Sequence, residues 1–208
     1  MKTPNHVWVE YPKMFNDKIE TKSGLILSKV NDYKPEWHAI LHGNIVSLSP
    51  FNHPALRFDD ELFFGDKIYF HYLVAIEDNI HEQDGRRFLR VPLYKIFCVV
   101  RDGVIIPYGG FVLAKPVYSD DISEVDVDGK KIMAKVSASG LVTTTEVSYN
   151  KNTSVVCHIG KPLKGDPDLG VVPGDKVMMH KNSHAEYEIE GDTYHIYEQQ
   201  DLLCIISE

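Results

Sequence analysis

Apolar residues along this chain fall in short runs, each closed by Gly, Pro, Asp or Asn. The runs HVWVEY (6–11), HAILHGNIV (38–46), KIYFHYLVAI (67–76), RFLRV (87–91) and YKIFCVV (94–100) are rich in β-branched and aromatic residues. Such runs read as strands, and no stretch carries a 3.6-residue apolar stripe of helical length. Gly-Asp ahead of a run is a turn signal, because Gly takes a positive φ at little cost and Asp can bond nearby backbone N–H groups. DGRR and EGDT read as hairpin turns between paired strands. The expected class is all-β, with one small β-barrel in each half.

The halves repeat one pattern, the first thing to seek in a chain of this length. GDKIYFH (65–71) returns as GDKVMMH (174–180), and Gly85 stands as far before Cys98 as Gly191 does before Cys204. HAILHG, ending at Gly43, resembles VVCHIG, ending at Gly160; SGLILS around Gly24 resembles SGLVTT around Gly140; HVWVEYP at the start resembles FVLAKPV at 111–117. The order is the same in both halves, and the spacing differs in polar segments where loops accept insertions. The sequence therefore predicts a tandem duplication, with domains at 1–103 and 104–208 and a turn-rich linker at RDGVIIPYGG (101–110).

Composition narrows the functional classes. With 208 residues, 43% hydrophobic and 25% charged, the chain suits folded domains with real cores. A net charge of −8 without a concentrated basic patch argues against nucleic acid or an anionic membrane as partner, since phosphate binding rests on Lys and Arg. Cys98, Cys157 and Cys204 form neither a disulfide framework nor a C-x-x-C pair, which points to a reducing cytoplasm. The N-terminal MKTPNHVWVEYPK has no continuous apolar core of a secretory signal, and no apolar run approaches membrane-spanning length.

Taken together, the ordered segments resemble the GroES-like co-chaperonins, the family that caps barrel-shaped chaperonins. Two stretches carry most of the resemblance: VVPGDKVMMHKNSHAEYEIEGDTYHIYEQQDLLCIISE (171–208), similar to a co-chaperonin C-terminal half, and ETKSGLILSKVND (20–32), similar to that family's mobile loop. The resemblance implies mobile loops at about 16–36 and 119–153. Leu25, Ile26 and Leu27 match the aliphatic tripeptide that docks on the chaperonin, and Leu141 and Val142 match its first two positions in the second half, where the third is Thr143. It further implies a homo-oligomeric ring, a GroEL-like chaperonin as partner, unfolded clients inside its chamber, no catalytic activity and no cofactor. A loop that orders on binding offers apolar anchors and gives up entropy, so each site is of moderate affinity while several act together. Two other classes stay open: a GroES-like scaffold or adaptor without capping, and a fragment of a dehydrogenase, since medium-chain dehydrogenases contain a GroES-like catalytic domain.

Other chemistry is thinner. The repeat-related Cys98 and Cys204 read as buried packing residues. Ten histidines are scattered without H-E-x-x-H, and DVDG (126–129), though it resembles the opening of a calcium loop, lacks the later bidentate acid. Signatures of nucleotide hydrolysis, dinucleotide binding and a nucleophile elbow are absent.

Overall fold

The computed structural model describes residues 4–12, 18–20, 26–28, 39–49, 62–118, 122–127, 130–136, 142–143, 149–163, 165–180 and 185–206. Among these the regular structure is β apart from short 3-10 turns, as the strand-sized apolar runs require. The chain divides into two compact units, one of residues 1–111 with 160–167 and one of 112–159 with 168–208.

The first unit holds β1 (His6–Glu10), β2 (Lys18–Glu20), β3 (Ile26–Ser28), β4 (His42–Ser47), β5 (Lys67–Phe70), β6 (Ile80–Gln83), β7 (Arg86–Pro92), β8 (Ile96–Arg101) and β9 (Val104–Pro107). Seven of these form one antiparallel sheet in the order β6-β7-β1-β4-β5-β8-β9. Inward positions, alternate along β1, β5 and β7 and offset by a register shift on β8, make its core, among them Val7, Val9, Ile45, Ile68, Phe70, Leu89, Val91, Ile96 and Val99. The β6–β7 hairpin turns on Asp84 and Gly85, both at positive φ (51° and 72°), the pairing that a two-residue turn matched to strand twist demands. Asp102 and Gly103 (52° and 78°) do the same between β8 and β9. The segment read as a linker thus contains a strand, because Val104–Pro107 is aliphatic and a tight turn folds it back onto β8 in register, Cys98 against Pro107.

In the second unit lie β10 (Phe111–Tyr118, whose first residue groups with the first unit), β11 (Ile122–Val127), β12 (Lys130–Val136), β13 (Val142–Thr143), β14 (Tyr149–Ile159), β15 (Lys176–Met179), β16 (Ala185–Ile189), β17 (Asp192–Glu198) and β18 (Leu202–Ile205). Its main sheet runs β16-β17-β10-β14-β15-β18, the order of the first sheet without β9. The correspondence extends to single hydrogen bonds. Gly65 N–H donates to Ile45 C=O and Ile45 N–H to Asp66 C=O; Gly174 N–H donates to Val156 C=O and Val156 N–H to Asp175 C=O. Tyr69 faces Cys98 and Met178 faces Cys204, each with a register shift at the following residue. Val9 faces Ile45 as Ala114 faces Val156, again after a shift at the preceding residue. Glu190 and Gly191 (52° and 88°) make the β16–β17 turn.

This register corrects one sequence match. Gly43 faces Ile68, and the residue facing the equivalent Val177 is Ser154, so Ser154 and not Gly160 stands at Gly43's position. Gly160 lies beyond the end of β14, where a Cβ would come within 3.2 Å of the Phe111 carbonyl oxygen. The two cysteines also differ in surroundings: Cys98 is buried and Cys204 exposed. The reason lies at the sheet edge, where β9 pairs with β8 while β18 ends its sheet.

Candidate functional site

The described parts of the aliphatic segments flagged by the sequence, Ile26–Ser28 and Val142–Thr143, lie outside the two large sheets. In the first unit β2 and β3 form a separate two-stranded ribbon in which Glu20 pairs with Ile26 and Ile19 with Leu27. Leu25 lies outside the described residues. In the second unit β11, β12 and β13 form a three-stranded sheet of their own, with Val142 paired to Val136 and Thr143 to Lys135; Leu141 lies outside the described residues. The acidic ISEVDV pairs along its length with KKIMAKV, placing Asp126 opposite Lys131. That pairing was missed in the sequence because Glu124 and Asp126 make the segment read as an acidic loop, and of its apolar residues only Val125 and Val127 stand at alternate positions.

A second feature escaped the sequence reading. Beside the open edge of β18 runs a shallow apolar groove of about 220 Å³, lined by Leu169, Val171, Val177, Leu202, Leu203, Cys204 and Ile205. Leu203 is 58% exposed and Ile205 43%, whereas Phe97 and Val99, at the same places on β8, are buried. Among the described residues β18 is the edge strand of its sheet, and an edge strand of this apolar character is a ready template for another strand.

Among the described residues several polar arrangements are defined in detail. At the start of β5 the buried Asp66 accepts two bonds from Arg101, Nε to Oδ1 at 2.9 Å and Nη2 to Oδ2 at 2.7 Å, and one from the Phe63 amide at 2.8 Å. Burial alone would raise the Asp66 pKa, but the Arg101 bonds with the Phe63 amide outweigh it and hold the carboxyl below its ordinary value. In the second unit Asp175 accepts the equivalent amide bond from Val172 at 2.9 Å. Ser154, His195 and Tyr197 meet inside the second unit, with the serine hydroxyl 2.9 Å from the tyrosine hydroxyl and 3.4 Å from His195 Nδ1. Burial pushes the Tyr197 pKa up, against the lowering effect of the Ser154 bond. The trio resembles nucleophilic chemistry only in residue type, since Ser154 and His195 are both fully buried and no substrate could reach them. His71 Nδ1 accepts the Leu73 amide at 3.1 Å, and burial together with Lys95 pushes its pKa down to about 4, so it stays neutral in the cap of a 3-10 turn. Burial raises the Cys157 pKa, the opposite of what a reactive thiol needs.

Among the described residues no group of three or more His, Cys, Asp or Glu side chains could hold a metal ion, and no helix is long and apolar enough to cross a membrane. Comparison with known families adds one finding: the model of the chaperonin 10 Kd subunit matches residues 124–206. That stretch runs from β11 to the end of β18 and supports one co-chaperonin domain in the second half of the chain. No curated protein matches the chain.

Proposed function

We propose that the chain is a non-catalytic co-chaperonin of two tandem GroES-like barrels, which docks through the Leu25–Leu27 segment onto a GroEL-like chaperonin and closes its chamber over an unfolded client in the cytoplasm. The family match over 124–206 carries this reading. The first unit supports the tandem arrangement, since its sheet repeats the second sheet's strand order and turn hydrogen bonds. Leu141 and Val142 are the second docking segment, weaker because Thr143 takes the third position. ATP hydrolysis belongs to the chaperonin, whose cycle sets when the cap binds and leaves. Sizing chromatography with a chaperonin of the same source, with and without nucleotide, tests the reading: nucleotide-dependent co-migration is expected, and its absence removes the proposal.

Capping needs several docking segments held at the partner's spacing, hence a ring. The open β18 edge supports ring assembly, a strand of a second copy doing for β18 what β9 does for β8. Leu203→Asp with Ile205→Asp, two exposed positions, is therefore expected to leave the fold intact and reduce the assembly to single chains. Native mass measurement checks this, and an unchanged mass means that assembly uses another surface.

A further inference from the structure

Two sheets of the same order pose a problem for folding. β1 and β10 hold the same place, between the hairpin strand (β7 or β17) and the next strand (β4 or β14), so each sheet offers a berth to the other's opening strand. Units that share a topology are prone to such exchange.

At the contacts of these strands the two units differ in matched pairs. Glu10 on β1 accepts from Arg86 on β7, Nη2 at 2.8 Å and Nε at 3.2 Å. Counted from the shared turns, Arg86 corresponds to Asp192, and Glu10 corresponds to Lys115 one residue past the Val9/Ala114 position; Lys115 Nζ meets Asp192 Oδ1 at 3.3 Å. The pair is kept and its signs are reversed. The cation stays over the same aromatic position, Arg86 at 5.4 Å from the Phe88 ring and Lys115 at 5.6 Å from the Tyr194 ring, although it comes from opposite strands.

The interior differs in the same complementary way. A Cβ on Gly43 would stand 3.1 Å from Val9 Cβ and 3.1 Å from the Glu10 carbonyl oxygen, so any side chain there crowds Val9 and the β1 backbone. In the second unit the larger residue is on the other side, with Ser154 at the glycine position and Ala114 at the valine position. Leu89 and Val91 flank the first set, and at their places His195 and Tyr197 bond Ser154. Exchange would set Glu10 against Asp192, Lys115 against Arg86, Val9 into the side chain of Ser154, and Ala114 over an unfilled space at Gly43. Like charge and overlap in the wrong pairing, beside fit in the right one, is how alternatives are discriminated.

We propose that these matched differences form an address that keeps β1 in the first sheet and β10 in the second while the chain folds. The proposal rests on the two sheets alone and holds whatever the chain binds. A disulfide probe reads it. His6 faces Pro92 across β1 and β7, and Glu198 stands at Pro92's place on β17. In full-length protein carrying Cys98→Ala, Cys157→Ser and Cys204→Ser, the pair His6→Cys with Glu198→Cys is at bridging distance when β1 lies in the second sheet. After refolding under mild oxidation, 6–198 cross-links within or between chains are expected to be scarce. Adding Glu10→Lys and Val9→Ala on β1, with Arg86→Asp on β7 and Gly43→Ser on β4, makes the two berths alike, and the cross-linked fraction is expected to rise roughly tenfold, a bias of about 1.4 kcal/mol removed. The charge pair alone, Glu10→Lys with Arg86→Asp, lies on exposed side chains and guards against a core that fails to fold; a smaller rise is expected. A fraction equal to the parent's in both variants overturns the proposal.

Discussion

Replacing Leu25 and Ile26 by serine is expected to weaken chaperonin binding by more than about a hundredfold while leaving the two large sheets folded. Burial of each aliphatic side chain contributes about 1.5 to 3 kcal/mol, and each 1.4 kcal/mol is tenfold in affinity. In a ring the loss is felt at every docking segment at once, so the change in avidity exceeds that at one site. The fold is spared because β3, which begins at Ile26, pairs among the described residues with β2, in a ribbon separate from the seven-stranded sheet. Nucleotide-dependent co-migration with the chaperonin, measured beside thermal unfolding, checks both halves of the expectation. Undiminished co-migration would show that the segment is misassigned. The companion pair Leu141→Ser with Val142→Ser is expected to cost less, because Thr143 has already removed one anchor and Val142 is tied into β13.

The strand content was legible because its signals are local. Gly-Asp before β5 and β15, and the Asp-Gly and Glu-Gly turns of the two hairpins, need only their own residues to adopt their geometry. Register was not local. HAILHG and VVCHIG share a closing glycine, yet Gly43 answers to Ser154, because pairing is decided by Val9 and Ala114 across the sheet and by the shifts beside them. Cys98 and Cys204 look alike in sequence and differ in burial through β9, a strand hidden inside a stretch rich in Gly and Pro. The docking candidates were visible only through resemblance; by periodicity alone three aliphatic residues in a polar stretch favour a strand, and Ile26 and Leu27 do belong to one.

Arg101→Ala is expected to destabilise the first unit by about 2 to 3 kcal/mol, the largest effect of any single charged residue described. Removing one partner of a buried pair strands the other charge, which in fully buried cases costs about 3 to 5 kcal/mol. The Arg101 side chain is 33% exposed, so solvent already shares part of its charge and the lower figure applies, while Asp66 at 5% has no such recourse. The guanidinium also covers the ring of Phe63, its carbon 4.4 Å from the centroid. Trp8 stands on β1 of the first unit, so its fluorescence in a urea titration reads this unit. The pH dependence separates lost charge pairing from lost packing. In the parent the Asp66 pKa is depressed, so its contribution is complete above the ordinary carboxylate value and fades as pH falls through the depressed one. Without Arg101, burial prevails and raises that pKa above its unfolded value, so the variant gains stability by taking up a proton as pH falls. The gap between the two proteins is therefore expected to narrow in acid, and Asp66→Asn is expected to recover part of the loss in the Arg101→Ala background at neutral pH. A gap that stays constant with pH would assign the effect to the cover over Phe63 instead.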